Sequence, residues 1–89
     1  MLYSINMSQI QLKASECLGI NLKALRESVG LSLNELGDAV GLSKQSIWNY
    51  ENEARLPSPD ALAALAKYFK LEETDFFDPK LSAYLKRKD

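Results

Sequence analysis

The sequence predicts a small all-α domain, a compact five-helix bundle with an N-terminal arm and a C-terminal tail. Three observations predict it. Apolar residues recur at helical spacing through most of the chain. Serines stand where helices should begin, and glycines or prolines stand where they should stop. A period of two is confined to the first 13 residues, where Tyr3, Ile5 and Met7 alternate with Ser4, Asn6 and Ser8, which reads as an extended arm over 1–14.

The helices follow in order. Leu18, Leu22, Leu25 and Val29 lie at i, i+4, i+7 and i+11 with Gly30 behind them, predicting a first helix over about 15–29. Ser32 followed by Glu35 is a capping box, and Leu36, Val40 and Gly41 continue and end a second helix of about eight residues. Ser43 starts a third over 44–52, with Ile47 and Tyr50 as its apolar residues. Ser58 before Pro59, then Leu62, Leu65, Ala66 and Phe69, predicts a fourth over 59–69. Acids ahead of Phe76 and Phe77 suit the positive start of a short fifth helix within 72–77. The folded domain is thus expected over 15–78. The tail, 79–89, holds an apolar stripe of Phe77, Leu81, Tyr84 and Leu85 ending in Lys86-Arg87-Lys88, which either packs on its own domain or contacts a second subunit.

Composition narrows the function. With 89 residues there is room for one domain, and a chain so short gains much from a partner subunit. There is no histidine and a single cysteine, Cys17, so histidine triads, Cys/His zinc sites and an internal disulfide cannot be built within one chain. No glycine-rich phosphate loop or nucleophile motif points to an enzyme, and no cofactor is expected. The acids Glu72, Glu73, Asp75 and Asp78 lack calcium-loop spacing, so they read as helix-start electrostatics rather than a metal site. The longest apolar run, Ala61 to Ala66, is far short of a membrane span, and no secretory signal is visible, so a cytoplasmic location is expected.

The second and third helices, separated by a short glycine-containing turn, form a helix-turn-helix unit. On the wheel of the third helix, Lys44, Trp48, Gln45 and Asn49 fall within an arc of about 140°. Ser46, Tyr50, Ile47 and Glu51 share the opposite arc. A cation, two amides and an indole are the side chains that read base edges in a major groove: Gln or Asn can bond adenine, and Lys can donate to guanine. The net charge of −1 argues against a purely electrostatic binder. Only five of the eleven basic residues precede position 59, so non-specific DNA binding should be weak and salt-sensitive.

The stretch Leu18 to Phe77 resembles the Cro/CI-type helix-turn-helix domain, the XRE family of lambda-repressor-like regulators. The matching segments are Leu22-Lys-Ala-Leu-Arg-Glu-Ser-Val-Gly-Leu-Ser, Glu35-Leu-Gly-Asp-Ala-Val-Gly-Leu-Ser-Lys-Gln-Ser-Ile, Tyr50-Glu-Asn, Pro57-Ser and Leu65-Ala-Lys-Tyr-Phe-Lys-Leu. The resemblance implies a sequence-specific regulator of transcription, in the manner of a repressor, bound to double-stranded DNA as a homodimer. It puts Lys44, Gln45 and Asn49 at base-contacting positions with Trp48 between them. Ser32, Ser43, Ser46, Asn52 and Arg55 fall at phosphate-contacting ones, and Arg26 and Glu51 at an ion pair between helices. Small relatives of this kind include phage repressors, restriction-modification controllers and antitoxins, the last with a toxin partner.

Three positions depart from the family pattern. Leu33 replaces a glutamine that holds a phosphate. Glu53 replaces a helix-ending glycine, so an acidic residue either takes a left-handed backbone or the helix ends differently. Gly37 replaces an alanine, keeping a close helix contact at a cost of about 1 kcal/mol in propensity. These departures, with the net charge and the exposed Trp48, motivate an alternative: a protein-interaction module that keeps the fold and binds DNA weakly or not at all.

Overall fold

The computed structural model describes residues 12–87. The arm reading of Tyr3, Ile5 and Met7, and the end of the basic tail at Lys88, lie outside the described residues. Ala14 already belongs to the first helix.

Five α-helices and one 3-10 turn follow one another: α1 Ala14–Ser28, α2 Leu33–Val40, α3 Lys44–Glu51, α4 Pro59–Phe69, the turn Glu73–Phe77, and α5 Leu81–Arg87. Start signals act as read. The hydroxyl oxygens of Ser32, Ser43 and Ser58 accept hydrogen bonds from the backbone N–H of Glu35, Ser46 and Ala61.

Two expectations shift at the C-terminal end. The segment read as a short fifth helix closes as a 3-10 turn, because Pro79 holds Asp78 in extended backbone, at φ −85° and ψ 114°. Its carboxylates cap backbone amides: Asp75 accepts from the Glu72 N–H at 2.9 Å, and Asp78 from the Lys80 N–H at 2.9 Å. The segment read as a tail contains the helix α5, which packs along α1.

One core joins the elements. Leu18, Leu22 and Leu25 of α1, Leu36 of α2, Ile47 and Tyr50 of α3, Leu65 and Ala66 of α4, and Phe76 are all buried in it. Around this core α1 supports α3 on one side and the 3-10 turn and α5 on another, while α2 bridges α3 and α4. α3 is thereby held along its inner side by two helices and left open along its outer side.

Candidate nucleic-acid interface

The turn between α2 and α3 is Gly41-Leu42-Ser43, with Gly41 in left-handed backbone at φ 75°. It brings the N-terminus of α3 to the surface. Ser43 accepts from the Ser46 N–H at 3.0 Å and donates its hydroxyl to Ser46 Oγ, also at 3.0 Å, so the Ser46 hydroxyl proton stays free at the helix start.

Along α3, Ile47 and Tyr50 are buried while Lys44, Gln45 and Trp48 are exposed and Asn49 half-buried. The four residues read as base-contacting therefore share the outer face. Trp48 is 45% exposed, a large indole left in water on an element whose opposite side is fully packed. Beside it the Gln45 side-chain amide donates to Asn49 Oδ1 at 3.0 Å. At the other end the Asn52 side-chain amide donates to the Trp48 carbonyl at 2.9 Å, a second bond beside the one that carbonyl accepts from the Asn52 backbone N–H at 3.0 Å.

The inner side is fixed by charge as well as by apolar contact. Arg26 of α1 donates through Nε to Glu51 Oε2 at 2.6 Å and through a terminal nitrogen to Oε1 at 3.0 Å, a two-pronged pair. Its other terminal nitrogen donates to the Leu31 carbonyl at 2.8 Å. The side chains are 12% and 4% exposed. Bonding to Glu51 raises the Arg26 pKa further above its already high value, against the opposing effect of burial.

Two glycines set how closely the helices approach. A Cβ at Gly19 of α1 would lie 2.7 Å from the Glu51 carbonyl oxygen, and one at Gly37 of α2 would lie 2.5 Å from that of Leu42. Either distance is too short for a real side chain to keep without backbone movement. Gly37 thus keeps the close contact expected of it: the propensity it sacrifices is offset by a turn that alanine would push apart. Gly19 escaped the sequence reading, although a glycine in mid-helix is itself a signal of close packing.

The remaining candidates flank α3. Ser32 caps α2 and is exposed, as are Ser43, Asn52 and Arg55. Leu33 turns inward and packs against the core. Glu53 takes left-handed backbone at φ 64°, the first of the two possibilities weighed for it, and α3 closes through the Ala54 N–H on the Asn49 carbonyl at 2.9 Å.

A family model described as a helix-turn-helix domain matches residues 18–76, two short helices and a turn at its centre. The chain belongs to this helix-turn-helix family, of the XRE/Cro-like type. Comparison with curated proteins returns no match. A helix-turn-helix domain points to a DNA-binding regulator. Among the described residues no helix is long and apolar enough to cross a membrane.

The helix-turn-helix match stops before α5, yet α5 is locked to it by Asn21, a residue sequence reasoning missed. Asn21 is 1% exposed, and its amide donates to the carbonyls of Phe76 at 2.8 Å and Asp78 at 2.9 Å. Its oxygen accepts from the Ser82 N–H at 3.1 Å. An amide between Leu18 and Leu22 on an apolar helix face was the available signal. Of the four residues read as dimer candidates, Phe77, Leu81 and Leu85 pack against the chain's own core, whereas Tyr84 is 60% exposed. Cys17 is buried, and burial, with Asp78 and Glu16 adding negative charge, pushes its thiol pKa up; the thiol stays neutral at pH 7.

Proposed function

We propose that the protein is a sequence-specific regulator of transcription, acting as a repressor, that lays α3 in the major groove of double-stranded DNA. The observation behind it is the outer face of α3. Lys44, Gln45, Trp48 and Asn49 share an open surface, while the opposite side of the same eight residues is anchored to α1 and α2. A major groove about 12 Å wide admits such a helix, and these side chains offer donors, an acceptor and an apolar plane to base edges. In this reading Ser32, Ser43, Ser46, Asn52 and Arg55 bond phosphates and set register. The free Ser46 hydroxyl and the positive start of α3 are suited to that task.

The protein works as a homodimer on paired half-sites, with the outward Tyr84 part of the contact, and it acts in the cytoplasm on DNA rather than as an enzyme. Selection of genomic fragments by the purified protein tests this, with affinity followed from about 50 to 200 mM salt. A two-fold-symmetric site that is retained at the higher salt and lost on Asn49→Ala is the expected result.

A second reading rests on three separate features, the exposed Trp48, the exposed acidic Glu53 and the inward Leu33: a module that captures a protein, as an antitoxin captures a toxin. Failure to enrich any fragment at low salt, with a partner retained by the native protein and lost on Trp48→Ala, would replace the first reading by this one.

A further inference from the structure

We propose that the segment joining α3 to α4 binds the same segment of a second copy across a two-fold axis, Leu56 against Leu56 and Arg55 of each copy paired with Asp60 of the other. The inference rests on the homodimer reading and deepens it by naming a contact in addition to Tyr84.

Leu56 is 49% exposed. A single exposed leucine is ordinary on a protein surface, so its setting decides what it means. Here the segment is pinned on both sides. Before it, the Ala54 N–H bonds the Asn49 carbonyl at 2.9 Å, and after it, Ser58 Oγ accepts from the Ala61 N–H at 3.2 Å. Pro57 and Pro59 fix the backbone between. Leu56 is therefore held out in water by a stiff segment, and covering it costs little conformational freedom.

Opposite charges stand on either side of it. Arg55 and Asp60 are both exposed, and the one ion pair among the described residues is that of Arg26 with Glu51, so neither charge is paired and they do not pair with each other. A surface that carries a cation, an apolar side chain and an anion in that order complements itself when a second copy is turned through half a turn: each cation meets the other copy's anion, and the apolar side chains meet on the axis. Arg55 keeps donors for a phosphate, because a guanidinium has five and a two-pronged pair with a carboxylate uses two. The segment follows α3 directly, so a contact here sets how far apart the two α3 helices stand on paired half-sites.

The test is sedimentation equilibrium of the full chain up to about 1 mM, since so small a patch gives a weak contact. Circular dichroism checks that each variant keeps its helices. Wild type is expected to associate to a dimer. Arg55→Glu and Asp60→Arg each set like charges against each other twice per dimer and should weaken self-association at least about tenfold. Mixed in equal amounts, these two variants should recover association as a heterodimer, because every pair across the axis is then of opposite sign. Leu56→Asp should weaken association without a rescuing partner. If both reversals leave association unchanged, or the mixture associates no better than its parts, this surface is not the contact, while the homodimer reading stands on Tyr84. If wild type stays monomeric at about 1 mM, the contact fails together with the homodimer reading, and base reading by α3 is judged separately by fragment selection.

Discussion

The two sides of α3 divide the work of the domain within two helical turns. On the inner side Ile47 and Tyr50 are buried and Glu51 is paired with Arg26 at 2.6 Å. On the outer side Lys44, Gln45 and Trp48 are held only by their backbone and by one amide-to-amide bond. The inner side therefore sets where the helix lies, and the outer side is free to be chosen for what it touches. A substitution on one side should move stability and on the other should move recognition.

The sharpest break of the inner side is Glu51→Ala. It leaves the Arg26 guanidinium in a site only 12% exposed with one carbonyl left to bond. Stranding a buried charge costs about 3–5 kcal/mol, most of the stability of a domain this small, so urea denaturation should show a midpoint near zero denaturant. Replacing both partners by Arg26→Met with Glu51→Leu should recover most of the loss, because the desolvation of both charges disappears with them. If the single variant loses less than about 1 kcal/mol, the pair is not what holds α3 against α1.

Next in size is the joint between α1 and the C-terminal helix. Asn21→Leu keeps the branched shape and removes three hydrogen bonds at once, stranding the Phe76 carbonyl and the Ser82 N–H, while the Asp78 carbonyl still accepts from the Leu81 N–H at 3.1 Å. A buried polar group stranded in this way costs about 1–3 kcal/mol. Amide hydrogen exchange at Ser82 and Leu85 should accelerate well before that of Leu22 or Ile47, since α5 can open while the core of α1 to α4 stays closed. Equal acceleration at all four amides would mean that α5 and the core open as one unit.

Legibility follows the same division. Elements of the helix-turn-helix were readable because local chemistry decides them: Ser32, Ser43 and Ser58 cap helices through bonds to residues three positions on. The arc of Lys44, Gln45, Trp48 and Asn49 was readable because helical geometry alone puts them together. Asn21 was not, since its three partners lie more than fifty residues away and only the folded chain brings them near. The close approach at Gly19 is likewise a property of two helices rather than one. The short helix within 72–77 was readable from its acids, but its 3-10 form was not, since such acids suit a helix start equally well in α and 3-10 form.

Glu53 is a smaller and opposite test. Its left-handed backbone at φ 64° costs a residue with a Cβ about 1 kcal/mol, and its side chain is exposed with no hydrogen bond among the described residues to offset this. Glu53→Gly should raise stability by about 1 kcal/mol. It also removes a negative charge next to α3, so on the reading proposed above it should tighten DNA binding at low salt more than at high salt. A gain in stability without any change in binding would place Glu53 away from the phosphates.

The outer side should show the smallest effect on stability and the largest on recognition. Lys44→Ala and Trp48→Ala remove exposed side chains from a helix whose packing is on the other face, so each should change unfolding free energy by no more than about 0.5 kcal/mol. Affinity for the selected fragment should nevertheless fall about tenfold for each, which is 1.4 kcal/mol. Lys44→Ala should in addition flatten the salt dependence if its ammonium neutralises a phosphate, and leave it unchanged if it bonds a guanine edge without displacing counterions. Trp48→Ala has no charge to lose, so any drop in affinity it causes should be the same at both ends of the salt range. If Trp48→Ala instead lowers stability by more than 1 kcal/mol, the indole is a packing residue despite its exposure, and the two sides of α3 are less separable than their geometry makes them.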